Sequence, residues 1–251
     1  MHLAPLTKYL TYHLYHARQL LERVSARGDR ENLHQFRVSI RRCRALLRLY
    51  LPECYALDAV LRSLVQPTNL LRELDVFTAS VDSAAYPKLA KLLERHRREQ
   101  FAALLDESFL THAATALGLL YDDLTDLNPA FETEILIDTA ERYYSACIAE
   151  FEHPDHALSE TELHELRIRF KISRYGLEFL HQSGLHVEKA KIRRSKEIQE
   201  HLGAIQDAAN QLEFLRTFCD AHPLKECRQL LKERRHLLKK LKEATAASRP
   251  A

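Results

Sequence analysis

Six cationic or potentially cationic side chains crowd one short stretch. His34, Arg37, Arg41, Arg42, Arg44 and Arg48 all lie within Leu33–Tyr50, with no Asp or Glu among them. At ~100° per residue, the helical period, His34, Arg37, Arg41, Arg44 and Arg48 share an arc of roughly 80°. A guanidinium is a planar, permanently charged fork that can grip phosphate oxygens with two hydrogen bonds at once. Repeated at the ~5–6 Å spacing of helical turns, such forks match a linear polyanion. Like charges at i,i+3 and i,i+4 repel by a few tenths of a kcal/mol per pair. An anionic partner would offset that cost. His34 can hydrogen-bond a phosphate when neutral and adds charge when protonated.

The pattern recurs. Shifted by 130 positions (33 to 163), Leu163–Leu180 aligns Leu163, His164, Arg167, Arg174 and Leu177 with Leu33, His34, Arg37, Arg44 and Leu47. Lys171 meets Arg41, and Tyr175 follows Arg174. The second stripe is thinner: Ile172 and Glu178 stand at the counterparts of Arg42 and Arg48. Internal repetition divides the chain into two related halves, each with one basic helix. A row of cations shared by both halves makes Arg41→Glu more costly to binding than Lys171→Glu, and Glu178→Arg favourable. The Arg37→Ala, Arg41→Ala pair is expected to weaken binding without altering the fold, on the premise that both charges are exposed.

These residues need helices to position them. With 251 residues, five Gly, eight Pro and no Trp, and rich in Leu, Ala, Arg and Glu, the chain reads as all-helical. On the first basic helix Phe36, Ile40, Cys43, Leu47 and Tyr50 form the apolar stripe that packs. Pro5–Arg27 precedes it as an amphipathic helix and Gly28-Asp29 separates the two. Pro52 closes the basic helix. Helices follow at Leu57–Gln66 (stopped by Pro67) and Asn69–Ser80. A long one runs from Pro87 through Phe109, and another spans Thr111–Leu124. DDLTDLNP, from Asp122 to Pro129, marks a boundary, giving halves 1–128 and 129–251. Phe131–Phe151 is the next helix, and EHPDHALSE is a loop. Ser159 and Glu162 form a capping box for the second basic helix, which Gln182-Ser183-Gly184 ends. Glu188–Ala221 and Leu224–Ala246 complete the chain before the frayed tail TAASRPA.

Other chemistries find less support. The net charge of +2 says little; segregation of charge carries the information. His13/His16 and His153/His156 have helical spacing but no completing ligand set, so no metal is expected. Asp122, Asp123 and Asp126 resemble an Mg²⁺-diphosphate motif, which keeps open a phosphate- or diphosphate-processing helical enzyme. No second Asp-rich motif accompanies them, and an acidic helix end is the better reading. There is no phosphate-binding Gly-rich loop and no argued catalytic triad. A nucleic-acid binder is a further alternative, weakened by the lack of base-reading Asn on the basic helices. Five cysteines without a Cys-x-x-Cys pair suit a reducing cytosol. The N-terminal segment lacks an apolar signal core, and no run of ~18 apolar residues could span a membrane.

HQFRVSIRRCRALLRLY, its partner HELRIRFKISRYGLEF and the later HLGAIQDA together resemble the conserved histidine α-helical domain family, CHAD. The resemblance covers nearly the whole chain. It implies two helical bundles related by a pseudo-twofold with a basic groove between them. It also implies non-catalytic binding of inorganic polyphosphate in the cytoplasm, in association with polyphosphate granules, and without a cofactor. By resemblance, the binding residues are His34, Arg37, Arg41, Arg42, Arg44 and Arg48, with His164, Arg167, Lys171, Arg174 and Tyr175. Leu202-Gly203 and Asp207 match the family's Leu-Gly…Asp turn. Arg72-Glu73 is the first-half counterpart, with Glu where Asp is usual. The E-x-E-x-K signature of the triphosphate-tunnel enzymes joined to some relatives is not found.

Overall fold

Local capping signals set most helix limits. In a computed structural model, which describes residues 3–27, 29–153 and 158–247, ten α-helices follow one another and no strand occurs among the described residues. They are α1 (Pro5–Arg27), α2 (Arg30–Tyr50), α3 (Tyr55–Val65), α4 (Asn69–Ser80), α5 (Pro87–Leu104), α6 (Glu107–Leu127), α7 (Thr133–Glu152), α8 (Glu160–Gln182), α9 (Lys189–Ala221) and α10 (Lys225–Ala247). Asp29 caps α2 by accepting a hydrogen bond from the Glu31 amide at 2.8 Å. The capping box at α8 is present. The Ser159 amide donates to Glu162 Oε2 at 2.7 Å, and the Glu162 amide donates to Ser159 Oγ at 3.3 Å. Gly184 beyond α8 has φ +75°, which a side chain would resist.

Three expectations need correction. The helix expected from Pro87 through Phe109 ends at Leu104, because Asp106 accepts from the Phe109 amide at 2.7 Å and starts α6. The apolar pattern runs on through Leu105, so periodicity alone conceals the break. Pro67 sits inside a 3₁₀ turn, Gln66–Thr68, that joins α3 to α4. The helix expected to end at Leu124 runs on to Leu127, so that Asp122, Asp123 and Asp126 form the exposed acidic helix end favoured from the sequence. Residues 154–157 of the expected loop 152–160 and 248–251 of the tail lie outside the described residues.

The expected apolar stripe of α2 is buried. Phe36, Ile40, Cys43, Leu47 and Tyr50 join a core with Leu10 and Leu14 of α1, Leu117 and Leu120 of α6, and Leu177 and Phe179 of α8. Two features bring α2 and α8 together. Tyr50 donates its hydroxyl proton to the Leu136 carbonyl at 3.0 Å and meets Phe179 edge-on. Gly176 leaves room for Leu49, whose Cδ2 would lie 2.5 Å from a Cβ placed there. The basic faces of α2 and α8 therefore lie near each other. A second core joins Leu74, Phe77, Leu89 and Leu93 of α4 and α5 to Leu215 and Phe218 of α9 and Leu230 of α10. A third, smaller one joins Cys147, Leu166, Phe170, Ile198 and Leu202.

Candidate functional site

The structure sorts the cations of the two stripes into those already neutralised and those left facing one another. Arg44 and Arg48 both bind Asp58 of α3: Arg44 Nε lies 2.6 Å from Oδ1 and Arg48 Nη2 lies 2.8 Å from Oδ2. Burial alone would raise the Asp58 carboxyl, but these two guanidinium groups hold it below its usual range. Arg42 reaches across to Glu178 of α8 at 3.2 Å, and Arg174 approaches the same carboxylate at 3.5 Å. Both guanidiniums also lie over the buried Tyr175 ring, Arg174 at 4.7 Å and Arg42 at 5.8 Å from its centroid. Ile172, at the counterpart of Arg42, is buried in the main core.

Arg37 and Arg167, the arginines of the repeated His-x-x-Arg opening, act alike. Each docks its helix onto the element that follows in its own half. Arg37 is only 8% exposed. Its Nη1 donates to the Val65 carbonyl at 3.1 Å and to Thr68 Oγ1, and its Nη2 donates to Asn69 Oδ1 at 2.9 Å. Burial, then Arg41 and Arg72, pull its pKa down to about 10. Arg167 crosses Gly203, where a Cβ would stand 3.2 Å from its guanidinium, and pairs with Asp207 at 3.1 Å. Gly203 and Asp207, noted in the sequence as part of a turn, thus form the seat of Arg167 within the continuous helix α9.

Between these anchored groups stand Arg41 and Lys171, the matched residues of the two stripes. Neither has a carboxylate within ion-pair distance among the described residues. Among the described residues Arg41 donates to the Arg37 carbonyl alone, at 3.3 Å. Its pKa is lowered by burial and by Arg72, Arg174 and Arg167, against a contribution from Tyr175 that raises it. Lys171 is pushed down to about 8, by burial first and then by Arg167, Arg41 and Arg174, with Asp207 opposing. His34, half-buried, has its pKa lowered by burial, Arg72 and Arg41. Its Nδ1 is buried without a hydrogen-bond partner among the described residues. His164 at the matching position is exposed, so the two histidines have different surroundings. Arg72 of α4, which the sequence placed on the helix Asn69–Ser80 but not among the binding residues, belongs to this cluster through its effect on His34, Arg37 and Arg41.

Glu178 therefore has a different role from the one its position in the repeat suggested. Glu178→Gln is expected to free Arg42 and Arg174, strengthening polyanion binding while costing about 1–3 kcal/mol of stability, because two partly buried cations lose their counter-charge. Glu178→Arg, favourable on the sequence pattern, would place a third guanidinium between those two. It is expected to lower the melting temperature further than Gln does. Thermal melts and polyphosphate titrations of both variants check the order.

The described residues form an all-helical domain with a cluster of cations where α2, α4 and α8 meet, and the comparisons name its family. The family model for the CHAD domain matches residues 8–216. The chain belongs to the CHAD domain family. Its fold is similar to the crystal structure of the CHAD domain from the plant Ricinus communis (TM-score 0.71, 23% identity, covering 98% of this chain and 88% of that one). It is also similar to PptA from Streptomyces chartreusis (TM-score 0.68, 15% identity, covering 96% of each chain). No curated protein sequence matches. No helix among the described residues is long and apolar enough to cross a membrane.

Proposed function

We propose that this chain is a non-catalytic binder of inorganic polyphosphate, acting in the cytoplasm and in association with polyphosphate granules. The observation that carries the reading is the meeting of Arg41 and Lys171 from opposite helices, with Arg72, Arg167, Arg174 and His34 around them and with the Lys171 pKa held near 8. A cation cluster that depresses its own pKa values is one that a bound polyanion would relieve. Membership of the CHAD family supports phosphate polymers over other anions. The parallel seating of Arg37 and Arg167 supports two related halves, 1–128 and 129–251, about a pseudo-twofold, with their cation rows sharing one groove. Arg44 and Arg48, already bound to Asp58, form the flank of that groove.

A titration against long polyphosphate, tripolyphosphate and orthophosphate tests this. The long chain, able to touch both rows, is expected to stabilise the fold by roughly 2.7 kcal/mol at a hundredfold excess over its Kd. Orthophosphate at equal total phosphate is expected to do far less. Four or five released counterions would give a slope of log affinity against log salt on the order of −3. A flat salt response, or orthophosphate matching the polymer, would refute the groove. Stronger competition by DNA or RNA would select the nucleic-acid reading instead. Release of phosphate with Mg²⁺ would select the enzyme reading that rests on Asp122, Asp123 and Asp126.

A further inference from the structure

Helices α4 and α9 pass from the cation cluster directly into a cleft of a different character. Arg72 faces the cluster and Glu73, the next residue, lines the cleft. On α9, Asp207 holds Arg167, and Asn210, Glu213, Phe214 and Phe218 line the cleft beginning ~4.5 Å further along the axis. The cleft, closed on its third side by His96 of α5, has a volume of about 500 Å³. Its floor is a ladder of rings. Phe214 stacks on Phe218 at 5.7 Å, Phe218 stacks on His222 at 4.5 Å, and His96 meets Phe218 edge-on at 5.4 Å.

The cleft offers acceptors on two carboxylates and an imidazole, beside one amide donor on Asn210, whose Oδ1 already accepts from Gln206 at 2.9 Å. Glu73 and Glu213 present carboxylates; Glu213 pairs with Arg216 at 3.7 Å, and Glu73 lies near enough to Arg37 to act on its charge. Nδ1 of His222 lies 3.0 Å from the Phe218 carbonyl and must donate to it, so in the neutral ring Nε2 is left as an acceptor. Carboxylates repel a phosphate chain, so a bare polyphosphate would not continue into this space. Rings and acceptors together suit a flat heterocycle that carries N–H donors. The neighbouring cations suit phosphates attached to it.

We infer that the cleft is a base-binding subsite at the end of the phosphate groove, and that the chain binds purine nucleoside polyphosphates with the base among His96, Phe214, Phe218 and His222 and the phosphates toward Arg72, Arg41 and Lys171. The inference rests on the anion-binding reading of the groove. Guanine, which offers both a ring N–H and an exocyclic amine, fits the acceptors better than adenine, and a pyrimidine covers less of the ring floor.

Calorimetric titration of the full chain with GTP, ATP, UTP and tripolyphosphate, at one pH and ionic strength, tests it. GTP is expected to bind about tenfold tighter than tripolyphosphate, from the base–aromatic contact, with ATP next and UTP weakest of the three. Thr217→Trp and Asn210→Trp each place an indole in the cleft from an exposed position. Either one, once shown by melting to be folded, should bring GTP down to the tripolyphosphate level while leaving tripolyphosphate unchanged. GTP binding no tighter than tripolyphosphate in the unaltered chain, or undiminished in both folded variants, overturns the base subsite. Failure of long polyphosphate to bind is a separate result that removes the groove reading itself, so the two failures are told apart.

Discussion

Arg37→Ala is expected to lower the unfolding free energy by about 2–4 kcal/mol, several times the loss from Arg41→Ala, although both residues belong to one charged stripe. The difference follows from where the side chains end. The Arg37 guanidinium is buried against the turn between α3 and α4, where it satisfies the Val65 carbonyl, Thr68 and Asn69. Alanine leaves a hole there and strands those acceptors. Arg41 donates one hydrogen bond, to a backbone carbonyl, and sits beside other cations, so its removal relieves repulsion as it loses packing. The sequence-based expectation that both could be removed without effect on the fold is therefore revised for Arg37. Chemical denaturation of the two single variants separates the roles. A loss at Arg37 no larger than that at Arg41 would show that the buried hydrogen bonds contribute little.

Raising the pH from 7 to 9 is expected to weaken polyphosphate binding roughly tenfold beyond any effect of salt, through Lys171. In the free protein this ammonium loses its proton near pH 8, because burial, Arg167, Arg41 and Arg174 disfavour its charge. A phosphate chain reverses the local field and lifts the pKa toward the ordinary lysine value, so binding takes up a proton around pH 8. Affinity is full below that value and declines above it. Stability of the unliganded fold runs the other way. The folded pKa of about 8 lies below the 10.5 of an ordinary lysine, so between these values the unfolded chain binds more protons. Stability therefore rises with pH across that window, by a few kcal/mol at most. Lys171→Arg keeps its charge throughout and should bind with less than about a twofold change over the same range. An equally steep decline in that variant would place the titrating group elsewhere.

The basic stripe of α2 was legible because its period and its apolar neighbour agree. Phe36, Ile40, Cys43, Leu47 and Tyr50 are buried, and the His-x-x-Arg repeat marks two helices that do lie near each other. What the period could not reveal is which cation meets an acid on another helix. Asp58 and Glu178 decide that Arg44, Arg48, Arg42 and Arg174 are partnered, and only tertiary packing brings them into reach. The same holds for Arg72, which lies on an expected helix but joins the cluster only once α4 is laid beside α2. The ring ladder of α9 is a different case. Phe214, Phe218 and His222 stand at i, i+4 and i+8, one face of a helix. That spacing was available in the sequence, but a core stripe gives the same pattern.

The second apolar core has a consequence for how the chain is made. Leu74, Phe77, Leu89 and Leu93 are covered by Leu215, Phe218 and Leu230. Leu93 precedes Leu215 by 122 residues (215 − 93). At ~5–20 residues per second, ribosomal synthesis leaves that face waiting on the order of ten seconds for its cover. During this interval α1 and α2 can already pack on each other and on α6, while α4 and α5 present bare leucine and phenylalanine to solvent. A chain cut or stalled before α9 emerges would keep that patch permanently. The nascent protein, rather than the finished one, is the species most in need of a chaperone.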